Sequence, residues 1–490
     1  MSKTQVKIIR IQKGEIFPIN NNKSYSFRNG SPLINFELRG SPTRLIDTST
    51  IRLNFKLTCG SDLNGSNANK RYVNNFEAYG AVGAVSGTYG ANINSRVGVS
   101  TVIDTLKLSN LKSNQVIEQI RNYSRLNATL LPVQNSFSNY KNVLCHLYNS
   151  FGNKTSQALR MCMPQTCCIP LRSGLFSQKQ PLNVYSMGGL KIDISLSPDN
   201  YLFNATDYDC MIDSANNAGV NNATYIIEDV SISFDYLVLN QPFIPSQSIM
   251  PYACYNSFLQ VITSNDSQSS LNLALSSVRS AFQNYIPSTS INNMSVDSLK
   301  TITLRNAPYE NIDNAAIIEL SHIKNGVKYP KLYSVNERVL LKAQPLAFQT
   351  HIIRNFINSI TSINRLKDSM VNKYTMNTAG YDDIATSTIA TNPNSDYYRS
   401  LTQDTPDIAM DGATAYNNGI GAVFSYGGNL YGTSVKYDAL GVATGTNFRN
   451  STYTVRILSE LDSQSPNNGY TFTLSNQQMA VKNMSVNAQM

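Results

Sequence analysis

The chain has 490 residues, of which 41% are hydrophobic and only 14% charged, with no Trp. That length suits two or three domains with real cores, which excludes wholesale disorder. The charged fraction lies well below the roughly 25% of an average soluble protein, so the polar surface is built largely from uncharged groups, above all 58 Asn, and offers little repulsion against association.

Forty Lys and Arg against 31 Asp and Glu give a net charge of +9. Residues 1–60 hold ten basic side chains against the acidic Glu15, Glu37 and Asp47, a difference of +7 and most of the excess. The spacing predicts a basic N-terminal arm over 1–25, in which Lys3, Lys7, Arg10 and Lys13 face nucleic acid, an anionic membrane surface or an acidic neighbour. A solvated charged strand and arm is the plainer alternative. Basic residues interrupt every apolar stretch of the start, MSKTQVKIIRIQKGE, so no signal peptide is expected. No run of ~18 apolar residues predicts a membrane span. Synthesis in a reducing compartment follows, and the sequons at Asn127, Asn153, Asn222 and Asn450 are expected to stay unglycosylated.

Period-two alternation dominates the chain. In 51–57, Ile51, Leu53, Phe55 and Leu57 alternate with polar residues, which predicts a strand with one face in a core. Residues 61–100 are rich in Gly, Asn, Ser and Ala and read as a loop excursion. Val116, Ile117, Ile120 and Tyr123 form a helical stripe, and Tyr140, Leu144, Leu147 and Tyr148 a second. Strands return at Leu190–Leu196 and Val230–Val238. Pro242, Pro245 and Pro251 then mark a stiff linker over 241–252 that cannot join a central strand.

Beyond the linker, Val278, Phe282 and Tyr285 form a third helical stripe that Pro287 would end. Ile302 and Leu304 suggest a strand, 347–370 a long helix, and 377–432 a second loop excursion. Alternation at Tyr453, Val455 and Ile457, then at Phe472 and Leu474, closes the pattern before a polar tail over 478–490. Sheets with one apolar face must pair, so each half reads as a β-sandwich or barrel, with short helices inserted in loops.

Catalytic constellations are nearly absent. His146, His322 and His351 have no second ligand at metal spacing. Cys59, Cys145, Cys162, Cys167, Cys168, Cys210 and Cys254 form no disulfide framework, and the Cys145–Cys168 cluster lacks the paired C-x-x-C arms of zinc modules. Gly83, Gly87 and Gly90 do not open a phosphate-binding helix, and the pairs Asp207/Asp209 and Asp382-Asp383 read as turns. The chain is expected to be no enzyme and to carry no cofactor or metal.

The stretch 169–196 is more specific. Ile169-Pro170-Leu171, Gly174-Leu175-Phe176, Pro181-Leu182 and Gly188-Gly189-Leu190-Lys191-Ile192 follow in quick succession. This resembles the late part of the first jelly roll in double jelly-roll major capsid proteins, and is most similar to those of polinton-like viruses and virophages. Ser276 to Pro287 resembles the inserted helix of the second jelly roll, and Tyr437-Asp438, Gly441 and Gly445-Thr446-Asn447-Phe448 its closing strands.

The resemblance implies two tandem eight-stranded jelly rolls: a basic arm over 1–25, a first jelly roll over 26–240, the linker 241–252, a second jelly roll over 253–477 and the tail. It further implies a homotrimer forming a pseudo-hexameric capsomer. Such capsomers would tile an icosahedral shell around double-stranded DNA, beside penton and minor or cement proteins, with the basic residues at the inner face near genome or inner membrane. Its setting would be the virion. Two other readings stand beside it: a carbohydrate-binding or host-attachment β-sandwich, and a nucleic-acid binder acting through its basic end.

Overall fold

The computed structural model describes residues 6–28, 31–61, 90–93, 98–134, 165–178, 180–206, 223–244, 247–287, 317–329, 435–436, 447–459, 467–482 and 485–489. Alternation drives the architecture. Leu190, Ile192, Ile194 and Leu196 turn inward from one strand and meet Ile34, Phe36 and Leu38 of its neighbour, all buried, while Lys191, Asp193 and Ser195 face away.

In the first half the strands are β1 (Ile8–Ile16), β2 (Ser24–Tyr25), β3 (Leu33–Leu38), β4 (Arg44–Ser61), β5 (Gly90–Ile93), β6 (Ile103–Asn110), β7 (Val116–Ile120), β8 (Gln165–Pro170), β9 (Leu190–Leu196), β10 (Phe203–Thr206) and β11 (Ala223–Leu239). Helices α1 (Tyr123–Gln134), α2 (Val184–Met187) and α3 (Asp199–Leu202) lie between them. The second half holds β12 (Gln247–Ile262), β13 (Asp266–Leu271), β14 (Val278–Pro287), β15 (Ile317–Lys324), β16 (Val327–Tyr329), β17 (Val435–Lys436), β18 (Tyr453–Ser459), β19 (Asn467–Lys482) and β20 (Ser485–Gln489).

One sheet runs β1-β11-β4-β8 and another β3-β9-β6-β7. The second half repeats this with β12-β19-β14-β17 and β13-β18-β15-β16. Set aside the short β2, β5 and β10 and the terminal β20. In each half the order is then first, eighth, third, sixth in one sheet and second, seventh, fourth, fifth in the other. That is the strand order of a jelly roll, present twice.

The turns obey local chemistry. Gly188 and Gly189, at φ 82° and 101°, end α2 and start β9, and their N–H groups return to the Tyr185 and Val184 carbonyls, a left-handed cap that a Cβ would strain. Asn325 and Gly326, both at positive φ, join β15 to β16 in the two-residue turn that Asn-Gly favours.

Several expectations are corrected. Residues 8–16 are no arm: β1 pairs with β11 from Ile8↔Leu239 to Ile16↔Ile232. Of the four basic residues expected there, Arg10 and Lys13 lie in this first strand of the first jelly roll, where charge suits an edge strand. The stripe at 116–120 is a strand, with Ile117, Glu118 and Ile120 all buried, because β7 is covered on more than one side and loses its alternation. Residues 278–287 form β14. It pairs with β19 and carries a register shift between Val278 and Ser280 that brings Val278 and Ala281 both inward, so its inward positions do not keep a strict period of two.

The linker stops at β12, whose Pro251 sits opposite Gln478 on a sheet edge, where a missing N–H is tolerated. The polar tail is also structured: 478–482 belong to β19, and β20 folds back on it. The strand at Ile302, the helices at 140–148 and 347–370, the excursion 377–432 and most of 61–100 lie outside the described residues.

Candidate functional site: the junction between the jelly rolls and the outer sheet edge

A strand at a sheet edge carries backbone N–H groups that need partners. The edge strand β12 of the second jelly roll meets β7, the edge strand of the first. Tyr255 N donates to Glu118 Oε1 at 2.8 Å, Arg121 N to Ser257 Oγ at 3.1 Å, and Tyr252 Oη to the Ile117 carbonyl at 3.1 Å. Glu118 is the centre of this contact. Its Oε1 also accepts from Gly174 N at 2.9 Å, and its Oε2 accepts from Leu175 N at 3.2 Å. One carboxylate thus satisfies N–H groups from both jelly rolls, at 2% exposure.

Burial pushes the Glu118 carboxyl up to about 7, although the N–H groups of Tyr255, Gly174 and Leu175 and the Ser173 side chain favour its charged form. Its neighbours respond. The Cys254 thiol is pushed well up by burial and by the Glu118 charge, and the Tyr252 phenol is raised chiefly by burial.

Gly174 matters for a second reason. A Cβ there would run into the Ala253 backbone carbonyl. Gly174→Ala is therefore expected to push the jelly rolls apart and lower stability by about 2–4 kcal/mol, read as a fall in the thermal midpoint.

Arg125, on α1, forms a second tie. Its guanidinium lies 4.5 Å from the ring centre of Tyr201 and 4.4 Å from that of Tyr470, between an aromatic of each jelly roll, and the residue is fully buried. Burial raises the Asp104 carboxyl, and the Arg125 charge partly offsets that rise. The larger core cluster crosses the same boundary, with Tyr252, Cys254, Tyr255, Tyr470, Phe472 and Met479 packed among residues of the first jelly roll.

On the outside, β1 has β11 as its neighbour on one flank and no strand on the other among the described residues. Ile9 and Ile11 are 61% and 66% exposed. Of the basic residues expected here, Lys3 lies outside the described residues, while Lys7, Arg10 and Lys13 are exposed. The Lys13 ammonium lies 3.7 Å from Asp235, so it is partly engaged within the sheet. The junction at Glu118 and Arg125 is not among the features that the sequence pattern predicts. A Glu amid the apolar Val116, Ile117 and Ile120 is its legible signal.

Among the described residues, no group of three or more His, Cys, Asp or Glu is arranged to hold a metal. Cys167 and Cys254 are buried and Cys168 is exposed, none of them in a disulfide; Cys145 and Cys162 lie outside the described residues. His322 sits in β15 opposite Val455 and Tyr329. A cleft of about 600 Å³ is lined by Asp47, Arg52, Asn127, Arg172, Phe176 and Gln178 among others. Asp47 is its one carboxylate, and Phe176 is buried, so it offers neither a carboxylate pair nor an aromatic platform for a sugar. Among the described residues no helix is long and apolar enough to cross a membrane.

Two jelly rolls of one strand order, in tandem and joined through a buried junction, define a double jelly-roll protein. The chain has the fold of viral major capsid proteins. It is similar over 100% of its length to 98% of the chain in a model of the PBCV-1 virus capsid, with a TM-score of 0.53 and 10% identity. It matches the Faustovirus major capsid protein over 97% of this chain and 90% of that one, with a TM-score of 0.52 and 7% identity. It matches a chain of the Sputnik virophage over 100% and 91%, with a TM-score of 0.51 and 10% identity. No family model and no curated protein matches the sequence.

Proposed function

We propose that the chain is a major capsid protein that trimerises into pseudo-hexameric capsomers and tiles an icosahedral shell around a double-stranded DNA genome. The observation that carries this reading is the repeated strand order, matched end to end by capsid chains. The amide-rich, weakly charged composition supports it, since such a surface resists close packing little. The work is burial of surface between copies rather than catalysis. Further partners would be penton and minor or cement proteins, and the protein's place the virion.

Light scattering of the purified chain, with negative-stain imaging of the same fraction, tests it. Three chains of 54.1 kDa in one particle of pseudo-hexagonal outline are the expected result. A monomer that binds selectively on a glycan array would overturn it in favour of host attachment.

Lys3, Lys7, Arg10 and Lys13 would contact anionic genome or membrane at the inner face. Substituting all four by Ala is expected to weaken binding to duplex DNA and to flatten its dependence on salt by roughly three to four counterions. An unchanged salt slope would remove that role.

A further inference from the structure

We propose that the cleft beside β4 is a binding site for a carboxylate carried on a small apolar body, with the Arg52 guanidinium as the group that grips it. This goes beyond the capsid reading and does not depend on it.

Backbone pairing makes the cleft. β8 follows β4 as far as Pro170, opposite Arg52. The chain rejoins β4 at Leu182, whose N–H and carbonyl exchange hydrogen bonds with those of Ile46. The returning chain takes twelve steps, from 170 to 182, where β4 takes six, from 52 to 46. It therefore bows outward and leaves this flank of β4 over 47–51 without a partner strand among the described residues. The cleft of about 600 Å³ fills that gap, a size within the range of ligand pockets.

Arg52 is fixed in place with one edge to spare. Its Nη1 donates to the carbonyls of Ser49 at 2.9 Å and Ile51 at 3.0 Å, which sets the plane of the guanidinium. Its Nε and Nη2, the opposite edge, donate to no group among the described residues, and no carboxylate there lies within ion-pair distance. Asp47, the cleft's own carboxylate, turns instead to Ser49, accepting from its N at 3.0 Å and its Oγ at 2.7 Å. Elsewhere in the chain the same arginine edge does hold a carboxylate. Arg456 donates to Asp266 from Nε at 2.8 Å and from Nη2 at 2.7 Å, a bidentate pair.

Arg172 adds a second guanidinium from the bowed chain, oriented by the bond from its Nε to Asn127 Oδ1 at 2.8 Å. Two cations against Asp47 leave one positive charge in excess, which suits a monoanion. A phosphate dianion would overshoot that balance and be repelled by Asp47. Pro170, Leu171 and Phe176 complete the lining, so the body that bears the carboxylate is apolar. Two sources carry this chemistry: an acidic side chain flanked by apolar residues in a protein segment, and a free aliphatic carboxylate.

Calorimetric titration of the full-length protein tests the site with three probes: a capped tripeptide of Asp between two leucines, hexanoate, and inorganic phosphate. Saturable binding of a carboxylate probe is expected, weakened at least about tenfold by Arg52→Lys, because an ammonium cannot reproduce the two-pronged edge. Wild type supplies a second reading. Burial raises the Cys168 thiol, and the Arg52 charge partly offsets that rise. A carboxylate on Arg52 cancels the offset, so alkylation of Cys168, followed by peptide mass spectrometry, should slow by about twofold or more at saturation.

Binding of the tripeptide alone assigns the cleft to an acidic protein segment, and equal binding of hexanoate assigns it to a free carboxylate; both uphold the site. No saturable binding of either carboxylate overturns it, as does a preference for phosphate over both. Binding that leaves both the Cys168 rate and the Arg52→Lys affinity unchanged lies elsewhere and also overturns it. None of these results alters the light-scattering mass, so the capsid reading stands or falls separately.

Discussion

Replacing Glu118 by Ala is expected to lower stability by about 3–5 kcal/mol and to split a single unfolding transition into two. The substitution leaves the N–H groups of Gly174, Leu175 and Tyr255 buried with no acceptor, and each such orphan costs roughly 1–3 kcal/mol. Because Tyr255 belongs to one jelly roll and the other two residues to its partner, the loss falls on the coupling between them. Differential scanning calorimetry reads both effects. One transition with an unchanged midpoint would mean that the junction draws its strength elsewhere.

Glu118→Gln separates charge from shape. The amide oxygen keeps the bonds from Gly174 and Tyr255, and the amide nitrogen meets Leu175 N in place of an acceptor. A loss of about 1–2 kcal/mol is expected. The pH profile is the sharper reading. Burial raises the folded-state pKa from 4.5 to about 7. A group raised on folding contributes its full stability below the unfolded value, and that contribution drains away as pH climbs from 4.5 through 7. Wild type is then more stable at pH 5 than at pH 8 by about 2.5 kcal/mol from this group. Glu118→Gln flattens that difference. Equal pH dependence in both proteins would show that Glu118 does not titrate there.

The same residue shows how far the fold is legible in the sequence. Where one sheet face meets core and the other solvent, as in β9 and β11, the alternation of apolar and polar residues is enough to mark the strand. Where a strand is covered on further sides, as in β7, or shifts register, as in β14, the apolar spacing departs from a strict period of two and misleads. Both failures arise from contacts distant in sequence: β7 is buried by β12, and β14 is aligned by β19. The prolines before β12 are readable as a departure from central strands, yet the pairing of Pro251 on an edge depends on β19, more than two hundred residues later. The junction is illegible for the same reason, since Glu118, Gly174 and Tyr255 come together only when two jelly rolls stand side by side.

Arg125→Ala should be the other severe change, at about 4 kcal/mol. Each desolvated cation–aromatic face is worth up to about 2 kcal/mol, and Arg125 presents two, to Tyr201 and Tyr470. Removal of the side chain also leaves a cavity between two rings that belong to different jelly rolls. Arg125→Lys is expected to recover less than half of the loss, because an ammonium cannot lie flat against both rings. The pH dependence distinguishes a packing defect from an electrostatic one. Burial already raises the Asp104 carboxyl, and the Arg125 charge partly holds it down. Without that charge the folded-state value climbs further, so the deficit of Arg125→Ala widens as pH rises through it and narrows in acid, where Asp104 is protonated. Denaturant melts of both variants at acid and neutral pH decide the matter. A deficit of equal size at both would assign the whole effect to the lost stacking and the cavity, and would sever Asp104 from the tie between the two jelly rolls.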